Sequence, residues 1–312
     1  MNLVLTTIVP IFSLIAIGFL SGRLRYLGET TAGGLADFTF KLAIPALLFR
    51  TIATADMPDV SPLAVWAAYF VPVSAAWLLA SLIAVLVLGR AVSDTAPISM
   101  SAGFGNVVML GIPLALSIHG DAAAGPIALI ISVHSPILWT AATLHNAMAN
   151  RGGAGPIGPV LRDAAKDLAR NTLILAIIAG TVWRFTGLEL PAIASNILAM
   201  LGAAAIPAAL VSLGLSLTGF RISGQAPTLT MVLLLKLLVM PAMAYVIAVP
   251  VLALPTATAA VVIIFAAMPT GANAYIFASY AGRAINSASG AVVLGTLLSI
   301  FTSTALLLTL AK

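Results

Sequence analysis

Apolar runs separated by short polar gaps occupy the whole chain. They fall at about 5–22, 33–54, 62–88, 97–118, 124–147, 171–186, 191–217, 227–252, 257–281 and 287–311, each bounded by charges, Gly or Pro. An α-helix needs about 20 apolar residues to cross a hydrocarbon core. The pattern therefore predicts an all-α polytopic membrane protein with ten transmembrane helices. The first run has no basic region before it and no small-residue cleavage site after it, which predicts a retained helix rather than a signal peptide.

Threading ten helices sorts the basic residues by side. Arg23, Arg25, Arg90, Arg151, Arg162, Lys166, Arg170, Arg221 and Arg283 fall on one side, and Arg50, Arg184 and Lys312 on the other. Basic loops stay cytoplasmic, so both termini are expected outside, in the periplasm of a Gram-negative cell. The longest polar stretch, residues 149–170, joins a Gly/Pro-rich piece to a short basic one and predicts a cytoplasmic linker between residues 1–148 and 171–312. Its part from Leu161 to Arg170 reads equally as an amphipathic interfacial helix or as ordinary loop.

The two halves carry related motifs. AIPALL around Pro45 in segment two matches AIPAAL around Pro207 in segment seven. Pro113 follows Pro45 by 68 residues, and Pro269 follows Pro207 by 62. Five crossings per half is an odd number, so the second half would enter the membrane from the opposite side, an inverted-topology repeat.

Composition narrows the function. Hydrophobic residues make up 61% of the chain and charged residues 7%, against about 25% charged in soluble domains. The net charge of +5 sits in loops and speaks for membrane orientation rather than nucleic-acid binding. Cysteine is absent, which excludes disulfides and thiol chemistry. There is no HExxH, GxSG or GxGD motif and no P-loop, and the histidines lack metal-ligand spacing, so an enzyme, a metal centre and an ATP-driven pump are not expected.

The residues that carry chemistry cluster in segments four and nine. Gly111 and Pro113 stand near the middle of one, Pro269 and Gly271 at a comparable depth of the other. Proline removes a backbone donor and glycine permits a turn, so each helix should break there. A plain proline kink is the alternative for either segment alone. Breaks in a bilayer are tolerated where they are buried in protein or line a cavity, and the symmetric pair points to one shared site. With Pro113 and Pro269 as first residues of the second half-helices, Leu114 and Ala115 on one side and Thr270, Gly271 and Ala272 on the other would present N–H groups to one point. Such a point suits a carboxylate. The carbonyl ends of the first half-helices, near Leu110 and Met268, suit a cation or a hydroxyl. Asn106 and Asn273 flank the breaks and would contact substrate through their amides, or else hydrogen-bond loosened backbone.

Charges inside apolar segments are costly and therefore informative. Asp37 and Lys41 are one helical turn apart and can pair; a structural pair and an ion-coupling role are both open. Lys236 is either a counter-charge for an anion or a snorkelling side chain. His134 and His145 are candidates for proton relay or for hydrogen-bonded packing, and His119 and Asp121 border a loop. No acid lies near either break in sequence, which favours an organic anion over an inorganic cation as cargo.

At LAIPALLFRTIATADMP, NVVMLGIPLALSIHG and MPTGANAYIFASYAG the chain resembles the auxin efflux carrier family, especially its bacterial members. The resemblance runs through all ten segments. It implies a fold similar to the bile-acid symporters and sodium/proton antiporters. Segments one, two, six and seven would form a scaffold and homodimer surface, and segments three to five and eight to ten a transport domain in which four and nine cross. It also implies that Asn106 and the residues around Pro113 and Pro269 bind substrate. Family substrates include auxin-like acids in plants and malate or malonate in some bacterial members. The chain lacks the long hydrophilic central loop of the plant proteins. The expectation is thus a carrier of a small organic anion by an elevator-like or rocking motion in a bacterial inner membrane. It would need no cofactor, with protons or sodium as candidate coupling ions. A cation/proton antiporter of the same fold, a channel and a receptor are the alternatives.

Overall fold

The computed structural model describes residues 2–54, 60–150, 162, 166, 169–220 and 225–310. Most of the 149–170 linker lies outside the described residues, including Arg151, as do Arg221 and Lys312. Every described element is helical, apart from one isolated two-residue bridge. In chain order these are α1 (Asn2–Arg23), α2 (Glu29–Phe38), α3 (Ile44–Thr54), α4 (Pro62–Leu86), α5 (Thr95–Gly103), α6 (Ile112–His119) and α7 (Ala124–Ala149). The later ones are α8 (Thr172–Phe185), α9 (Ala192–Leu217), α10 (Ala226–Leu234), α11 (Met240–Val246), α12 (Thr256–Ala267), α13 (Ala272–Ala281) and α14 (Ile285–Leu310).

Several are joined without interruption. Wide turns with i→i+5 hydrogen bonding connect α2 to α3 through Thr39–Ala43 and α10 to α11 through Leu235–Val239. Among the described residues six helical stretches are long and apolar enough to cross a bilayer: Thr30–Thr54, Pro62–Leu86, Val107–Ala149, Ala192–Leu217, Ala226–Val251 and Ile285–Leu308. Ile8–Arg23, Thr172–Phe185 and Thr256–Ala267 are apolar but shorter. In no long stretch is more than 44% of the most apolar window buried. The remainder, including Ile193, Phe301 and Leu63, is outward apolar surface far beyond what a water-soluble monomer exposes. This is an integral membrane protein whose outer solvent is lipid.

Lipid provides little hydrophobic drive between helices, so tight contacts rely on small residues. Gly18 of α1 and Gly214 of α9 fill that role. A Cβ on Gly18 would collide with the carbonyl of Val211, and one on Gly214 with that of Ile15. The helices that carry the two AIP motifs, α3 and α9, also pack on one another, with Gly202 against Leu47. Asn171 caps α8 by accepting the Leu173 N–H through Oδ1 at 2.9 Å. Gly282 ends α13 in the left-handed region, φ 66°.

Segments four and nine are both interrupted, segment nine at the predicted residues and segment four upstream of them. In segment four the break is Phe104–Asn106, between α5 and a helical run that starts at Val107. Gly111 and Pro113 lie inside that run. The N–H of Gly111 bonds the Asn106 carbonyl and that of Ile112 bonds the Val107 carbonyl, both i→i−5. This wide turn absorbs the donor that Pro113 lacks, so the proline neither breaks nor starts the helix. In segment nine the break is Met268–Gly271. Pro269 is part of the extended connection, and α13 begins at Ala272.

A cavity where two interrupted helices meet

The two breaks are hydrogen-bonded to each other. The Asn106 N–H donates to the Pro269 carbonyl at 2.7 Å, and the Gly271 N–H donates to the Phe104 carbonyl at 2.9 Å. They enclose an antiparallel bridge between Gly105 and Thr270. The approach needs glycine: a Cβ on Gly271 would stand 3.1 Å from the Gly105 carbonyl oxygen and 3.3 Å from the Asn106 nitrogen.

On one side of this bridge lie the carbonyl ends of the first half-helices, and each receives a side-chain donor. Lys236 Nζ donates to the Ala266 carbonyl at 2.8 Å and lies 3.2 Å from Met240 Sδ. Thr270 Oγ1 donates to the Ser101 carbonyl at 2.8 Å. Lys236 is completely buried and forms no salt bridge among the described residues. Snorkelling is thereby excluded. The wide turn Leu235–Val239 carries Lys236 beneath Gly105, where a Cβ on that glycine would be 3.2 Å from Nζ.

On the other side lies a cavity of about 660 Å³. Its floor is made by the second half-helices, through Val107, Val108 and Met109 and through Ala272 and Asn273. The first turn of a helix has N–H groups without intrahelical acceptors, and its positive dipole end favours anions. Two such ends therefore face one space. Asn106, 7% exposed, and Asn273 also line it, as do Ser135, Ser212 and Ser216, the hydroxyls of the last two donating to the Ala32 and Leu213 carbonyls. Lys41 and Arg170 also line the cavity, and the described lining contains no acid. Lys41 Nζ is 2.8 Å from Asp37 Oδ2, both well exposed.

The sequence-derived candidates thus divide. Asn106, Gly271, Ala272, Asn273, Lys41 and His134 come together at the cavity. Pro269 and Thr270 are in the bridge behind it. Gly111, Pro113, Leu114 and Ala115 are buried in the helix that follows. The donors assigned to Leu114 and Ala115 instead belong to Val107, Val108 and Met109, because the helix starts seven residues before Leu114. Only the break register separates the two assignments, and Asn106 was the usable signal for it.

Two histidines pack against aromatic rings, His134 buried and His145 half-buried. His145 Nδ1 accepts from Trp77 Nε1 at 3.1 Å, and its Nε2 lies 3.0 Å from Thr95 Oγ1, which donates to the Val92 carbonyl. That is a closed packing network. His134 has Nδ1 3.1 Å from the Tyr69 hydroxyl and its ring edge-on to Phe104.

Two interrupted helices are thus joined at their breaks beside one cavity, and the sequence comparison supplies the family. The family of membrane transport proteins matches residues 3–307. The chain belongs to the auxin efflux carrier family. Among its relatives in that family is a protein of Rhizobium meliloti (strain 1021) named "Putative malonate transporter". It is 25% identical over 305 residues, 96% of this chain and 93% of the relative. An "Uncharacterized transporter" of Methanothermobacter thermautotrophicus (strain Delta H) is 26% identical over 243 residues, 76% of each chain. The auxin efflux carrier assignment makes this chain a membrane transporter and not an enzyme.

Proposed function

We propose that the chain is a secondary or facilitative carrier of a small organic anion, a carboxylate of the size of malonate or malate, that works by alternating access. The observation that carries this reading is the convergence of two half-helix N-termini, Val107–Met109 and Ala272–Asn273, on one cavity beside Asn106. Their N–H groups and dipoles supply positive potential without ionised side chains, which suits reversible binding of a carboxylate. Lys236 adds a buried positive charge behind the bridge. The name of the Rhizobium meliloti relative supports a dicarboxylate.

On this reading residues 1–148 and 171–312 are inverted five-helix repeats, and segments four and nine cross at their breaks. A scaffold of segments one, two, six and seven carries the homodimer contact. The remaining segments move against it like an elevator. The cavity is bordered by Lys41 and Arg170, on the side of the basic loops, so the described state is open to the cytoplasm of a bacterial inner membrane. A cation/proton antiporter would need acidic ligands at the breaks, and the described lining offers none.

The test is counterflow in proteoliposomes. Vesicles preloaded with unlabelled malonate should accumulate external labelled malonate saturably, and malate, indole acids and neutral amides should compete in an order that gives the substrate class. Absence of counterflow with every carboxylate, or competition by neutral amides as strong as by acids, would defeat the reading.

A further inference from the structure

His134 is 1% exposed, yet its Nε2 has no hydrogen-bond partner. Leaving a buried polar group unsatisfied costs about 1–3 kcal/mol, so such an atom calls for a reason. Its surroundings supply one. His134 lines the cavity together with Asn106, and its ring faces the Gly105 backbone without completing a hydrogen bond.

The state of that nitrogen follows from the other one. Tyr69 is fully buried, and His134 Nδ1 is the partner of its hydroxyl among the described residues. If the hydroxyl donates, Nδ1 of the neutral ring is the acceptor and Nε2 carries the hydrogen. In the opposite arrangement the hydroxyl hydrogen and the Nε2 lone pair would both lack partners. The first arrangement leaves one unsatisfied donor and the second leaves two unsatisfied groups, so the first prevails. Phe104, edge-on with ring centroids 4.6 Å apart, holds the ring in place.

We propose that His134 donates its Nε2–H to a carboxylate oxygen of the transported anion, with Tyr69 fixing the ring tautomer that makes this donor. The inference rests on the carrier reading above and narrows it: the solute must offer an acceptor at the place where α7 passes the break. The titratable and charged groups that face His134 from neighbouring elements are Tyr69 on α4 and Lys236 on the turn after α10. A neutral donor there recognises the carboxylate while adding no further charge beside Lys236.

Solid-state NMR of 15N-histidine-labelled protein in lipid vesicles tests both halves, with His119→Gln and His145→Gln used for assignment. His134 should be the Nε2–H tautomer without ligand, and saturating malonate should move its Nε2 and attached proton resonances downfield. Tyr69→Phe should mix the tautomers. Malonate affinity, measured by calorimetry, should fall about tenfold or more in His134→Leu and stay near wild type in His134→Gln, which keeps an N–H. Charge-assisted hydrogen bonds set that scale. Unmoved His134 resonances under saturating malonate, or wild-type affinity in His134→Leu, would overturn the inference while leaving the carrier reading intact. Failure of the wild type to bind any carboxylate would overturn both.

Discussion

Asn106 immediately precedes one second half-helix and Asn273 is the second residue of the other, and each offers both donor and acceptor. Asn106→Ala should lower malonate transport at least tenfold while membrane abundance is kept, and Asn273→Ala should do the same. A flux assay normalised to reconstituted protein checks both, and full activity in either variant would remove that amide from the site. Lys236 calls for a different expectation. A buried ammonium without an acid is held against a large desolvation cost, so replacing it by an apolar chain of similar length need not harm stability. Lys236→Met should leave the thermal midpoint unchanged or raised, and should weaken malonate binding about tenfold, roughly 1.4 kcal/mol. A lowered midpoint with unchanged affinity would make Lys236 a purely structural clamp on Ala266. Asn106, Lys236 and Asn273 could be singled out from the sequence because polar residues are scarce in these segments. The Tyr69–His134 contact joins residues 65 apart on different helices, and nothing local in either segment announces it.

Helices were legible for a simple physical reason: apolar runs of bilayer length bounded by charges, Gly and Pro leave little choice. The ends of α4, α9 and α14 fall within about two residues of the predicted runs. The breaks were less legible. Pro113 and Pro269 look alike in sequence, yet one is accommodated by a wide turn and the other sits in an extended connection. Proline signals a missing donor, and a helix can supply the remedy in more than one way. From this comes a contrast. Pro113→Ala should leave transport within about twofold of wild type, since the wide turn of Val107–Gly111 already carries the helix. Gly271→Ala should impair it strongly, since the added methyl presses on the Gly105 carbonyl and the Asn106 nitrogen. Equal effects of the two substitutions would contradict the assigned register. Gly214→Val tests packing rather than transport. Its side chain would push α9 off the α1 backbone at Ile15, so detergent-solubilised protein should lose several degrees of thermal midpoint.

Across the whole molecule, orientation is the property most open to direct test. Because the chain contains no cysteine, single cysteines can be introduced without prior substitutions. A thiol at Ser216, on the cavity wall near the C-terminal end of α9, should react with an impermeant maleimide added to inverted vesicles and not to intact cells. Excess malonate should slow the reaction. Labelling from the outside only would reverse the proposed sidedness. The sequence alone supplied the charge asymmetry behind this expectation, but not the cavity, whose walls come from residues as far apart along the chain as Ala32 and Asn273.

The paired hydrogen bonds between Phe104–Asn106 and Pro269–Gly271 carry one more implication. They are short-range and directional, so the two broken segments behave mechanically as a single riveted joint. Prising its halves apart would take the Asn106 and Gly271 N–H groups and the Phe104 and Pro269 carbonyls from their partners. On the proposed carrier reading, exposure to the opposite face would come from sliding the intact joint, cargo included, past its neighbours.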